Sequence, residues 1–198
     1  MKLVVGLTGG IASGKSYVSS FLIEKGYHVI DTDKITKSLY SSEKYIDSLV
    51  KAFPTCAVNG TFSKALLKEL VFNSKEKLEL LNSIAHPIIL EKTKKEINKY
   101  DGIIFIDAPL LFEANFDKLC NLTVCVYTDK DTQIERLINR DNISKEEAIK
   151  EINSQMDVET KKAKSDILVK SCDLFEDTNK NILKMLERIE DYGKNIRN

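Results

Sequence analysis

The chain has 198 residues, 42% of them hydrophobic and 30% charged, with 30 basic against 30 acidic side chains and so no formal net charge. That length suits one compact domain with insertions, and the neutral balance argues against nucleic acid as the partner. Four cysteines without a C-x-x-C pair and only two histidines give no zinc pattern and point to a reducing, cytoplasmic setting; the first seven residues are too short for a signal peptide, and no apolar run approaches a membrane span.

Residues 2–7 read as a first strand, with Leu3-Val4-Val5 as its buried part. The strand runs directly into Gly9-Gly10-Ile11-Ala12-Ser13-Gly14-Lys15-Ser16, which matches G-x-x-x-x-G-K-S/T, the phosphate-cradling P-loop. Glycines let successive N–H groups converge on phosphate oxygens at the positive end of the helix that follows. Lys15 is expected to reach the β- and γ-phosphates and to be solvated without them, and the Ser16 hydroxyl to hold Mg²⁺. That helix covers residues 16–25, buries Val18, Phe21 and Leu22, and stops at Gly26.

A second strand, 27–30, ends in Asp31-Thr32-Asp33. Asp33 can orient an acceptor hydroxyl and take its proton, or cap the next helix; Asp31 is read as structural. Alternation then lapses, and helices are expected over 42–53, 63–72 and 75–99, the last broken near His86-Pro87. His86 is either a histidine bonded to backbone at that break or a substrate contact.

Strand character resumes at Ile103-Ile104-Phe105-Ile106, an apolar run suited to burial on both faces. Asp107 ends it, either as a metal-holding carboxylate or as the cap of the Ala108-Pro109 turn. A fourth strand follows at 122–127 and a helix at 131–139. Another helix starts at Ser144, with Glu147 at the capping-box position. Residues 167–169 make a short fifth strand, and 177–192 a closing helix. Arg136 and Arg140, four apart, share a helix face, as phosphate-binding forks or as an ordinary solvated face.

The fold expected is α/β: a five-stranded parallel sheet flanked by helices, with a helical insertion after strand two and a helical arm after strand four. Ligands in such sheets bind at the carboxyl ends of the strands. The P-loop, Asp33 and Asp107 are therefore expected at one crevice.

Several strings closely resemble dephospho-CoA kinases: Gly6-Leu7-Thr8 running into the P-loop, Asp31-Thr32-Asp33-Lys34-Ile35, and His86-Pro87-Ile88. Asp107-Ala108-Pro109-Leu110-Leu111-Phe112-Glu113 is similar to that family's D-x-P-L-L-F-E. The run from Gln133 through Arg136, Arg140 and Asp141 to Ser144, Glu147, Ala148 and Gln155 is similar to its arm. The likeness extends from about residue 3 to 170.

The resemblance implies transfer of the γ-phosphoryl group of ATP-Mg to the ribose 3′-hydroxyl of dephospho-CoA, completing coenzyme A. It implies a catalytic set of Lys15, Asp33 and Arg140, and ATP contacts from Gly10, Ile11, Ala12, Ser13, Gly14, Lys15, Ser16, Tyr17 and Arg140. Substrate contacts fall on Asp33, Lys37, His86, Leu111 and Arg136, and the metal on Ser16 and Asp107. It implies a core over 1–33, 101–135 and 165–198, a CoA-binding insertion over 34–100 and a lid over 136–164. The residues 34–99 hold 12 lysines against 7 acidic groups, suited to a pyrophosphate-bearing substrate or to solvated helix faces.

Tyr17 stands where the family commonly has Thr, Lys37 and Lys64 where it often has Arg, and Ser171 where it has Asn. The two lysines keep charge without the planar fork, and Ser171 alters the adenine side. Two rivals remain: another small P-loop kinase, and a nucleotide-binding module without turnover. A GTPase is disfavoured because no D-x-x-G is found.

Overall fold

The computed structural model describes residues 2–58 and 61–196, which form two compact units, one of 1–30 with 97–198 and one of 31–96. The first is built on a sheet of β1 (Lys2–Gly9), β2 (His28–Asp31), β5 (Gly102–Asp107), β6 (Leu122–Tyr127) and β7 (Ile167–Lys170), in the order β2-β5-β1-β6-β7. The sheet is parallel, and β1 pairs with β5 on one side and with β6 on the other. The chain thus leaves β1 in one direction and returns to its other flank later. This makes the carboxyl end of β1 the switch point at which such sheets bind ligands.

Burial explains the apolar strands. Leu3, Val5 and Leu7 project to one face and pack with Val124, Val126 and Val169 against Val18 and Leu22 of α1 (Lys15–Glu24) and Ile182, Met185 and Ile189 of α9 (Phe175–Asn195). Ile104 and Ile106, on alternate positions of β5, are also fully buried. Each such side chain contributes about 1.5–3 kcal/mol on burial, so Leu22→Ala would cost about 2–5 kcal/mol.

The arm is three helices: α6 (Lys130–Asp141), α7 (Lys145–Ile152) and α8 (Val158–Lys164). Ser144 and Glu147 form the expected capping box at the start of α7. Ile134, Leu137 and Ala148 make a small core with Ile149 and Ile152, against which Ile11 and Ala12 of the P-loop pack.

The second unit contains α2 (Thr32–Leu39), α3 (Glu43–Ala52), a 3₁₀ turn (Pro54–Cys56), the strand pair β3 (Ala57–Val58) and β4 (Thr61–Phe62), α4 (Lys64–Phe72) and nearly all of α5 (Lys75–Ile97). Two expectations change here. α5 runs without a break through Pro87. Proline removes one ladder bond, and Ala85 and Ile89, both buried, hold the helix on either side of it. β3 and β4 have two residues each, too few for alternation to be legible. The same brevity hides α8, seven residues long and capped by Asp157, which accepts from Thr160 N–H.

Candidate active site

The P-loop follows β1 directly, and its shape depends on residues that must be small. Gly14 is left-handed, with φ of 89°, and a Cβ there would lie 2.3 Å from Ser171 Oγ. A Cβ on Gly9 would meet the carbonyl oxygen of Val126 at 2.4 Å. Neither position admits another residue without moving backbone or neighbour. Ala12 also takes a positive φ, 55°. The loop closes on itself through Ser13 N–H to the Gly10 carbonyl, 3.2 Å, and the Gln133 amide donates to the Ile11 carbonyl at 2.6 Å. Lys15 and Ser16 open α1, so their N–H groups have no carbonyl one turn back to bond and are available to an anion.

Asp107 ends β5, opposite Leu7 of β1 in the parallel register. Its carboxylate forms an ion pair with the Lys15 ammonium and accepts from the Ser19 hydroxyl. The side chains of Lys15 and Asp107 are only 14% and 11% exposed, so Lys15 is not solvated as expected from its position alone. The carboxylate compensates the charge that the loop would otherwise leave in a nearly dry place. Ser19 is a site residue that the motif reading missed. Its spacing was the available signal, because Lys15 and Ser19 are four apart and share a face of α1.

Ala12, Gly14, Ser16, Tyr17, Arg136 and Arg140 line one open cavity of about 410 Å³ with Ser171, Cys172, Asp173, Phe175 and Thr178. Ser16 is exposed there. The two arginines differ. Arg140 is exposed and forks onto Asp141 at 2.8 and 2.7 Å, and this hydrogen bonding raises its pKa further. Arg136 donates to Ser171 Oγ at 3.1 Å, to the Cys172 carbonyl at 3.2 Å and to Asp173 at 3.4 Å. It therefore holds the loop between β7 and α9. Tyr17 packs against Phe175, the rings tilted by 33° with centres 4.8 Å apart, and bonds Asn179 through its hydroxyl at 2.8 Å. Phe175 was not anticipated, since it begins a helix expected to start two residues later.

Leu111, expected at the substrate, is instead fully buried against Gly6: a Cβ on Gly6 would lie 2.8 Å from a Leu111 methyl. The apolar side chain packs the core under the loop after β5.

Asp33, Lys37 and His86 belong to the second unit. Asp31, not Asp33, is the N-cap of α2, accepting from Lys34 N–H at 2.9 Å. Asp33 lies in the first turn, exposed, and Lys37 follows one turn later on the same face. His86 is half-buried in α5, and burial lowers its pKa, so near neutrality it is a neutral imidazole rather than a cation.

The family model described as dephospho-CoA kinase matches residues 3–176. A dephospho-CoA kinase of Fusobacterium nucleatum is 41% identical over 191 residues, covering 94% of this chain and 98% of the relative. The solved dephospho-CoA kinase of Campylobacter jejuni superposes with a TM-score of 0.71 at 27% identity, covering 98% of this chain and 100% of that one. A shikimate kinase of Bacteroides thetaiotaomicron, 14% identical with a TM-score of 0.55 and coverage of 95% and 98%, shares the fold. Matched by that family model over residues 3–176 and by a relative 41% identical along almost its full length, the chain belongs to the dephospho-CoA kinase family.

Proposed function

We propose that this chain transfers the γ-phosphoryl group of ATP to the ribose 3′-hydroxyl of dephospho-CoA, giving ADP and coenzyme A in the cytoplasm. The observation that carries the reading is the Lys15–Asp107 pair at the adjacent ends of β1 and β5. The P-loop lysine and the strand-end carboxylate, with Arg136 and Arg140 at a cavity shared with Ser16, are the parts of a phosphoryl-transfer site.

In this reading P-loop N–H groups, those of Lys15 and Ser16 among them, cradle the phosphates, and Lys15 leaves Asp107 to reach them. Phosphate oxygens replace the carboxylate as its partner. Arg140 leaves Asp141 in the same way and donates to the charge that develops on the γ-phosphoryl oxygens. Arg136 keeps the loop after β7 in place beneath the nucleotide.

The residues suit Mg²⁺: Ser16 offers an exposed hydroxyl and Asp107 a carboxylate, both hard oxygen donors. Among the described residues no group of three His, Cys, Asp or Glu side chains forms a closed metal cage. That matches an ion that Ser16 and Asp107 would hold jointly with the nucleotide phosphates. When bound, the ion neutralises charge on the β- and γ-phosphates.

The bond made is from the acceptor 3′-oxygen to the γ-phosphorus, and the bond broken is from that phosphorus to the β,γ-bridging oxygen. The hydroxyl proton goes to Asp33, an exposed carboxylate in the first turn of α2. Residues 34–100 would bind the CoA moiety, with Lys37 facing its phosphates and His86 bonding as a neutral ring. Residues 136–164 would be the lid. The test is ADP release from ATP with dephospho-CoA, AMP, adenosine or no acceptor. Turnover that prefers dephospho-CoA supports the proposal, preference for AMP or adenosine points to a nucleoside or nucleotide kinase, and no turnover with any acceptor points to a binding module.

A further inference from the structure

The loop after β5 grips α8 through a buried ion pair. Lys161 is fully buried, a costly place for an ammonium group. Its Nζ donates to the Pro109 carbonyl at 2.7 Å and lies 3.1 Å from Glu113 Oε1. The same carboxylate oxygen accepts from the Met156 N–H at 3.2 Å, just ahead of α8. The Pro109 carbonyl accepts a second bond, 3.1 Å long, from the hydroxyl of Thr8, next to Gly9. Lys164 adds a contact, its Nζ 5.2 Å from the centre of the Phe112 ring.

Stability alone is a poor account of this arrangement. Buried ion pairs contribute little beyond what apolar residues of the same size would. Glu113 Oε2 is moreover buried without a partner, an added cost. What the pair does supply is position. It ties together the approach to the P-loop at Thr8, the carbonyl two residues beyond Asp107, and the link between α7 and α8 at Met156.

We propose that Glu113 and Lys161 are positioning residues for phosphoryl transfer, fixing α8 as the stationary base of the lid and Met156 as the point at which the moving segment ends. Neither touches the reacting atoms. The inference rests on reading the arm as a lid over an ATP site. A lid on a loose base closes less completely and admits water, so its loss falls on kcat and on coupling more than on the KM for ATP.

The experiment compares the full-length wild type with Glu113→Gln and with the double variant Glu113→Met, Lys161→Met. Glutamine keeps the shape and an acceptor oxygen. The double variant removes both charges and leaves no unpaired ion behind. Measured are kcat and KM with ATP and dephospho-CoA, ADP release without acceptor, and hydrogen exchange over 142–157 without ligands. For the double variant the expected kcat is about tenfold lower or more, with the KM for ATP within about threefold. ADP released without acceptor rises as a fraction of transfer, and exchange quickens over 153–157. Glu113→Gln lies between it and the wild type. Wild-type kcat, coupling and exchange in both variants would overturn the proposal, whatever their melting temperatures. If neither variant folds, the pair is a folding element and the positioning role fails. A wild type inactive toward dephospho-CoA would instead overturn the function proposed above, while the exchange comparison would still decide whether the Glu113–Lys161 pair fixes the segment ahead of α8.

Discussion

Lys15 and Asp107 stand 92 positions apart in the chain and form an ion pair across the ends of two neighbouring parallel strands. The ammonium proposed to grip phosphate is thus held here by the carboxylate proposed to hold the metal. On the function proposed above, the phosphates would take the Lys15 ammonium, and Asp107 would be left to hold the metal ion. Such an exchange would leave neither charge unpaired in a nearly dry place.

Lys15→Ala should abolish turnover. Because Lys15 pairs with Asp107, the variant should also lose stability, by about 1–3 kcal/mol, since the remaining carboxylate is little exposed. Steady-state kinetics and thermal unfolding check the two effects. Near-normal turnover would remove Lys15 from the chemistry, and an unchanged melting temperature would show that the pair contributes nothing to the fold.

The carboxylates of Asp31 and Asp33 should separate cleanly on mutation. Asp31 caps α2, so Asp31→Ala should cost roughly 1 kcal/mol of stability. Asp33→Asn leaves that cap in place and should lower kcat by about 10²-fold or more with little change in ATP affinity or melting temperature. A stability loss with normal kcat at Asp33 would mean that the residue is structural after all.

Arg140→Lys should lower kcat more than Arg136→Lys. The forked guanidinium of Arg140 is exposed at the cavity, and a lysine there cannot make two parallel bonds to phosphoryl oxygens. Arg136 is committed to Ser171, the Cys172 carbonyl and Asp173, so its replacement should act on the KM for ATP by loosening the loop after β7. The reverse order in kcat would exchange the two roles, and wild-type kinetics in both would take the arm out of the reaction.

The His86 imidazole should make stability depend on pH in a predictable direction. Burial lowers its folded-state pKa below the ordinary 6.5. Below that value the unfolded chain binds a proton that the folded protein resists, so stability rises with pH in this window. The contribution is present above the unfolded value and is lost as pH falls through the folded one. Between about pH 7.5 and 5.5 the melting temperature of His86→Gln should therefore fall less than that of the wild type. Parallel curves for the two proteins would show that His86 titrates as it does in the unfolded chain.

The features legible in the sequence were those carried by local spacing. The P-loop, the apolar strands, the capping box at Ser144 and Glu147 and the family strings are patterns a few residues long, and each is set by backbone geometry or by burial on a known face. Tertiary structure decided the partners. Spacing does not say that Lys15 rests on Asp107, that Arg136 turns to Ser171 while Arg140 stays exposed, or that Lys161 is buried beneath Glu113. These depend on which strands become neighbours and on how a buried charge finds its counter-charge. The same cause explains the misreadings. Pro87 stays within a helix because buried neighbours outweigh one lost bond. Leu111 is in the core because Gly6, more than a hundred residues earlier, leaves room for it.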